Sequence, residues 1–335
     1  MKLERDRRPF GCVLGLLLVF LLTPHARGQT AADEPVQSLS PIGLLGLTGE
    51  KASRLSQAVD ARDYPAAERL LLNEIEPDPH SLRAAQLLAF AGRVYFLDQD
   101  YLNAAIAWKK SDAIVPLAPP HQFSLAMAYI RLAHPDWARG ILRSLAAKNK
   151  NQALYPYWLG RIEYDAQHYN EAMAHFRQAI ALDSGMARAY DNLGLCYFYQ
   201  NENELAIKNY EKAIDLDRNS PRPSAWPYLN LAITLQFLNR LDEAEANLRK
   251  AVGLDPHFAQ AHYQLGSVLE DLGRAEDAII ELRESARLDP NYAEPHFALA
   301  RIFHKLGKEP AAQEELRAYR SLHAKANPAS ISPNR

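Results

Sequence analysis

The sequence predicts an all-α fold, a solenoid of about eight helix-turn-helix hairpins, and three observations carry the prediction. Self-similarity recurs every 34 residues, an alanine stands at the twentieth position of each copy, and small residues and prolines recur where helices must touch or stop. Taken in chain order, each segment has its own justification.

Residues 1–28 read as an export signal peptide. Lys2, Arg5, Arg7 and Arg8 precede an apolar run from Cys12 to Leu22, and small residues follow at Ala26 and Gly28, with cleavage expected near Gly28–Gln29. That run is far shorter than the ~20 residues a membrane-crossing helix needs, so the alternative, an uncleaved anchor, confines any membrane contact to this segment. Arg7-Arg8-Pro9-Phe10 also resembles a twin-arginine signal, although the strongly apolar run favours the general secretory route. The expected location is the periplasm or cell envelope, or outside the cell. Removing the five basic and two acidic residues of this segment takes the formal net charge from −2 to near −5. A net acidic chain without clustered Lys and Arg argues against nucleic acid as a partner. Cys196 is then the one remaining cysteine, so packing rather than an intrachain disulfide must hold the fold.

Residues 29–47, with Ser38, Ser40, Pro41, Gly43 and Gly46, read as a linker. The repeats occupy 48–326, as units 48–81, 85–118, 119–152, 153–186, 187–220, 225–258, 259–292 and 293–326. Their twentieth positions hold Ala67, Ala104, Ala138, Ala172, Ala206, Ala244, Ala278 and Ala312. Four residues on, along the same helix face, stand Leu71, Trp108, Leu142, Phe176, Tyr210, Leu248, Leu282 and Leu316. In the first helix of seven units an apolar residue precedes Gly or Ala, as in Leu159-Gly160, Leu193-Gly194 and Leu231-Ala232, which lets two helices approach closely. Pro79, Pro116, Pro256 and Pro290 close units, because proline cannot continue a helix. In unit one Arg54-Leu55 replaces the apolar-small pair, as expected of an atypical terminal cap. Pro221-Arg222-Pro223-Ser224 is an insertion between units five and six. Residues 327–335 turn to Pro, Ser and Asn and are expected to form a disordered tail.

These residues resemble the tetratricopeptide repeat family over about 80% of the chain. The resemblance implies a right-handed superhelical solenoid whose concave groove, lined by the first helices, binds a protein or peptide. At the groove positions it points to Tyr157, Arg161, Tyr164, Phe198, Tyr199, Trp226, Phe237, Tyr263 and Arg301 as exposed anchors. Asn192 and Asn230 resemble a short asparagine ladder of the kind that holds a peptide backbone. Charge changes along the groove, with Glu270 and Asp271 in unit seven and Arg301, His304 and Lys305 in unit eight, a polarity that would orient a peptide carrying both signs. The family's carboxylate clamp is absent, since Tyr157, Arg161 and Trp226 occupy the corresponding places.

No phosphate loop, GxSxG elbow or HExxH helix occurs, so no enzyme activity and no cofactor are expected. His296 and His304 lack further ligands at metal spacing, so no metal is expected either, and Cys196 reads as core. The function expected is a non-catalytic binding scaffold. One alternative is an accessory subunit of an envelope assembly for secretion, pili or polysaccharide export, bound through end or convex faces; a more distant one is a glycosyltransferase-associated repeat protein. The last helix has no successor to cover it, which leaves a homodimer through the C-terminal end open.

Overall fold

The computed structural model describes residues 42–326. The expected signal peptide, the tail and the linker up to Pro41 lie outside the described residues. After a 3-10 turn over Ile42–Leu45 come sixteen helices and, among the described residues, no strand. They are α1 (Gly49–Asp60), α2 (Tyr64–Ile75), α3 (Leu82–Leu97), α4 (Tyr101–Ile114), α5 (Pro119–Arg131), α6 (Pro135–Lys148), α7 (Leu154–Asp165) and α8 (Tyr169–Leu182). They continue with α9 (Ala187–Tyr199), α10 (Asn203–Asp217), α11 (Trp226–Phe237), α12 (Leu241–Leu254), α13 (Ala259–Asp271), α14 (Ala275–Leu288), α15 (Glu294–Lys305) and α16 (Glu309–Ala326). Odd-numbered helices open a repeat and even-numbered helices close it. The chain forms two compact bodies, with the boundary between Leu145 and Ala146 inside α6.

In the first body, the turn over Ile42–Leu45 packs on α1 and α3 and buries Leu45, so this end of the expected linker is instead a lid on the first hairpin. Ser81 caps α3 through a 3.0 Å bond from the Ala84 N–H, which starts that helix three residues ahead of its repeat. Within the second body the first helices touch in sequence, α7 on α9, α9 on α11, α11 on α13 and α13 on α15. Among the described residues no comparable contact joins successive second helices. First helices that crowd together while second helices splay make the face lined by α7, α9, α11, α13 and α15 the inner one.

The repeated alanines are the deepest points of the hairpins: Ala67 through Ala278 are fully buried and Ala312 nearly so. Across from them, the small residue of the first helix meets the large residue of the second. A Cβ built on Gly92, Gly160 or Gly194 would lie 2.6–2.7 Å from Trp108, Phe176 or Tyr210. Repeats with alanine there (Ala126, Ala232 and Ala300) carry Leu142, Leu248 and Leu316 opposite. In the first repeat Leu55 and Leu71 are both fully buried in one cluster.

Each hairpin turn repeats one backbone device. The fifteenth residue of every repeat has positive φ: Arg62, Gln99, Ala133, Gln167, Asn201, Asn239, Gly273 and Gly307. Its N–H bonds the carbonyl three residues back, as Gln167 does to Tyr164, and the next N–H reaches five back, as His168 does to Glu163 at 2.8 Å. This is the Schellman closure, which satisfies carbonyls that the helix end would otherwise leave open. Six of the eight left-handed sites lack glycine, and an L side chain there is disfavoured by about 1–2 kcal/mol. Gln167→Gly, at an exposed site, is therefore expected to raise stability by about 0.5–1 kcal/mol after the extra entropy of an unfolded glycine is subtracted. An unchanged or lower urea midpoint would refute this account of the turn.

In repeat seven the His262 ring is held from both sides, Nδ1 lying 2.7 Å from Glu281 Oε2 and Nε2 3.2 Å from the Pro256 carbonyl. The hydrogen bond to Glu281 raises the imidazole pKa above its ordinary value, outweighing burial. A folded-state pKa raised above the unfolded one gives stability that is fully present below about pH 6.5 and lost as pH rises through the raised value. His262→Gln is accordingly expected to lower stability by about 1 kcal/mol at pH 5.5 and by less at pH 9. Equal losses at both pH values in parallel denaturation curves would contradict the charged pairing.

Candidate functional site: the inner face of repeats four to eight

The structure distributes the expected groove residues over several separate clusters and buries some of them. Tyr157 is 1% exposed and Arg161 3% exposed. The Arg188 guanidinium of the next repeat sits 4.7 Å from the Tyr157 ring centre, and Phe176 flanks the same ring. Burial lowers the Arg161 pKa, but Tyr157 and Asp165 outweigh it and hold the guanidinium charged. The expectation that Tyr157 and Arg161 are exposed anchors is thus corrected: they pack between repeats because the first helices lie closer together than a single helix face reveals.

Asn192 and Asn230 are also buried, with their amide donors already engaged. Asn192 Nδ2 donates to the Arg188 carbonyl of its own helix at 2.8 Å, and Asn230 Nδ2 donates to Asp191 Oδ1 at 2.9 Å. Asn230 thus ties repeat six to repeat five while Asn192 bonds within its own helix, and neither donor is left to form a ladder for a ligand. The groove polarity is likewise used internally. Glu270 bonds Arg301 and Lys305, both at 2.6 Å, Asp271 accepts from Gln236 at 2.7 Å, and His304 pairs with Glu309 at 2.9 Å. Burial would raise the Glu270 pKa, but the two cations prevail and hold the carboxylate below its usual range.

What the structure does bring together is a belt of rings at the C-terminal ends of α7, α9 and α11. Tyr164 meets Tyr199 edge-on at 5.9 Å, Phe198 lies 5.8 Å from Tyr199, and Phe198 meets Phe237 edge-on at 5.9 Å. Tyr164, expected to be exposed, is instead buried beneath its neighbours, Phe198 and Tyr199 are half-buried, and Phe237 is 39% exposed. Sequence reasoning missed a fifth member, Tyr169, which stacks on Tyr199 at 4.8 Å with the rings within 2° of parallel. Its place at the start of α8 put it outside the first-helix pattern. Burial raises the phenol pKa values of Tyr164 and Tyr199, so the belt is uncharged at neutral pH. Trp226 stands apart against Phe258, and Tyr263 against Tyr292.

Chemistry beyond binding finds few parts here. Cys196 is buried, and burial pushes its thiol up to about 12, so it is a neutral core group. Among the described residues no group of three or more His, Cys, Asp or Glu converges as a metal site, and no helix is long and apolar enough to cross a membrane.

Stacked helical hairpins with Schellman turns and an inner face of first helices define a helical-repeat protein. Profiles described as tetratricopeptide repeat match residues 123–187, 185–256 and 229–293, about half of the chain in continuous array, and the chain belongs to the tetratricopeptide repeat family. A lipoprotein NlpI homolog of Haemophilus influenzae is 29% identical over 132 residues, covering 38% of this chain and 40% of that protein. The chain thus matches well under half of that relative's length. Among solved structures, a tetratricopeptide repeat protein from Parabacteroides merdae superposes with TM-score 0.62 at 15% identity, covering 81% of this chain and 98% of its own. PilW, a type IV pilus biogenesis factor, gives TM-score 0.55 at 22% identity, over 64% of this chain and 94% of its own. At these identities the structural likenesses speak to the fold.

Proposed function

We propose that this chain is a non-catalytic scaffold that holds a peptide or a segment of another protein against the aromatic belt of repeats four to six, in the periplasm or cell envelope. The observation that carries the reading is the run of contacting rings from Tyr169 to Phe237, closed at one end and open at Phe237. Rigid aromatic side chains give large contact area with little entropy to lose, which suits them to anchor a ligand. The envelope location is supported by the charged and apolar pattern of residues 1–28 and by the partial likeness to a lipoprotein.

The test is affinity capture from an envelope extract with the mature chain beside Phe198→Ala/Phe237→Ala, followed by titration of the captured partner. Tyr164 is left intact because it is buried and its removal would unsettle the fold. Truncating two anchors is expected to weaken binding at least tenfold while far-ultraviolet circular dichroism stays unchanged. A partner retained equally by both forms would move the site to an end or outer face, as an accessory subunit of an envelope assembly would require.

A further inference from the structure

The first body carries an open cleft of about 520 Å³ that the inner face does not share. One wall is a straight stripe of α4: Leu102, Ala105, Ile106, Lys109, Lys110 and Ala113 recur at helical spacing. The other wall is the α5–α6 turn, where Trp137 stacks on His134 at 4.3 Å and meets Tyr129 edge-on at 5.1 Å. Leu102, Ile106 and Trp137 are 59%, 42% and 57% exposed, a concentration of apolar surface that isolated surface residues do not produce. The stripe runs about 16 Å, or three helical turns.

The lining also limits what can lie there. Apart from His134, the only basic side chains in its lining are Lys109 and Lys110, and no carboxylate lines it. The nearby Asp112 meets Lys109 at 3.2 Å and accepts the Leu117 N–H, leaving Lys110 as the stronger lure for an anion. The stripe of α4 presents side chains at helical spacing and no free backbone edge, so an occupant cannot pair with it as a strand and must satisfy its own peptide groups. A helix does so. We propose that this cleft is a second docking surface that receives an amphipathic helix of a partner protein, with apolar anchors at i, i+3 or i+4 and i+7 and a carboxylate beside the last anchor facing Lys109 and Lys110.

The test uses the full mature chain and two fluorescein-labelled synthetic helices of matched sequence, each with three leucines at that spacing, one with Glu and one with Lys beside the last leucine. Anisotropy is expected to give the Glu peptide at least tenfold tighter binding than the Lys peptide. Lys109→Glu/Lys110→Glu should invert that preference, and Leu102→Ser/Trp137→Ala should weaken the Glu peptide at least tenfold. These side chains are exposed, and an unchanged thermal melt confirms that each variant is folded. The Phe198→Ala/Phe237→Ala chain should bind the Glu peptide as well as the parent, which separates this cleft from the aromatic belt. Equal affinity for both peptides, no binding of either, or loss of binding in the Phe198→Ala/Phe237→Ala chain overturns the proposal. So does concentration-dependent self-association abolished by Trp137→Ala, which would assign the cleft to a second copy.

Discussion

Gly160→Ala is expected to destabilise the second body by about 2 kcal/mol, Phe176→Leu by a similar amount, and the double variant by clearly less than their sum. The added Cβ would stand 2.7 Å from Phe176 Cε1, and Phe176 is fully buried with no room to swing away. Overpacking of this kind typically costs about 1–3 kcal/mol. Phe176→Leu alone leaves a void against Gly160, with a penalty of similar size. Together the changes rebuild the alanine–leucine pairing that repeats three, six and eight already use at Ala126/Leu142, Ala232/Leu248 and Ala300/Leu316. Recovery is incomplete because the backbone around repeat four is closed to glycine spacing. Urea denaturation of the four proteins gives the coupling energy, expected at about 1–2 kcal/mol. Strict additivity would mean that the two positions do not set the spacing of the hairpin.

Asn230→Leu is expected to lower stability by about 3 kcal/mol, whereas Asn192→Leu should lower it by only about 1 kcal/mol. Both asparagines are almost fully buried, so exposure does not distinguish them. The difference lies in what each amide holds. Asn192 donates to a carbonyl of its own helix, four residues back. Asn230 reaches from α11 to Asp191 on α9, and that acid is itself 1% exposed. Removing the donor strips a buried acid of a hydrogen bond, and the Tyr210 phenol, whose pKa is raised by burial and then by Asp191, lies in the same field. Differential scanning calorimetry on the three proteins reads the contrast, and equal losses would show that Asp191 does not depend on its neighbour in repeat six.

The hairpins and their order were legible because the same physical demand recurs at the same place: a small side chain, Ala67, Ala206 or Ala278, is fully buried in each hairpin. The turns were half legible. Their left-handed residue is glycine at Gly273 and Gly307 and asparagine at Asn201 and Asn239, so only in repeats one to four does residue type give no hint of the backbone. The inner face was legible as a set of positions but not as a surface. Whether Tyr157 or Phe237 meets solvent depends on how near the next first helix stands and on a single side chain such as Arg188, neither of which the period encodes. Tyr169 and the cleft beside Trp137 were not legible for a related reason, since both involve second helices, which lie outside the first-helix pattern of the inner face.

The uneven placement of glycine in the turns bears on the order in which the chain folds. Where the fifteenth residue is Gly273 or Gly307, the turn forms without a steric penalty and the two helices can meet early. Where it is Gln99, Ala133 or Gln167, closure is uphill until the hairpin gains contacts from a neighbour already in place. Repeats seven and eight are thus expected to close their hairpins with the least help from a neighbour.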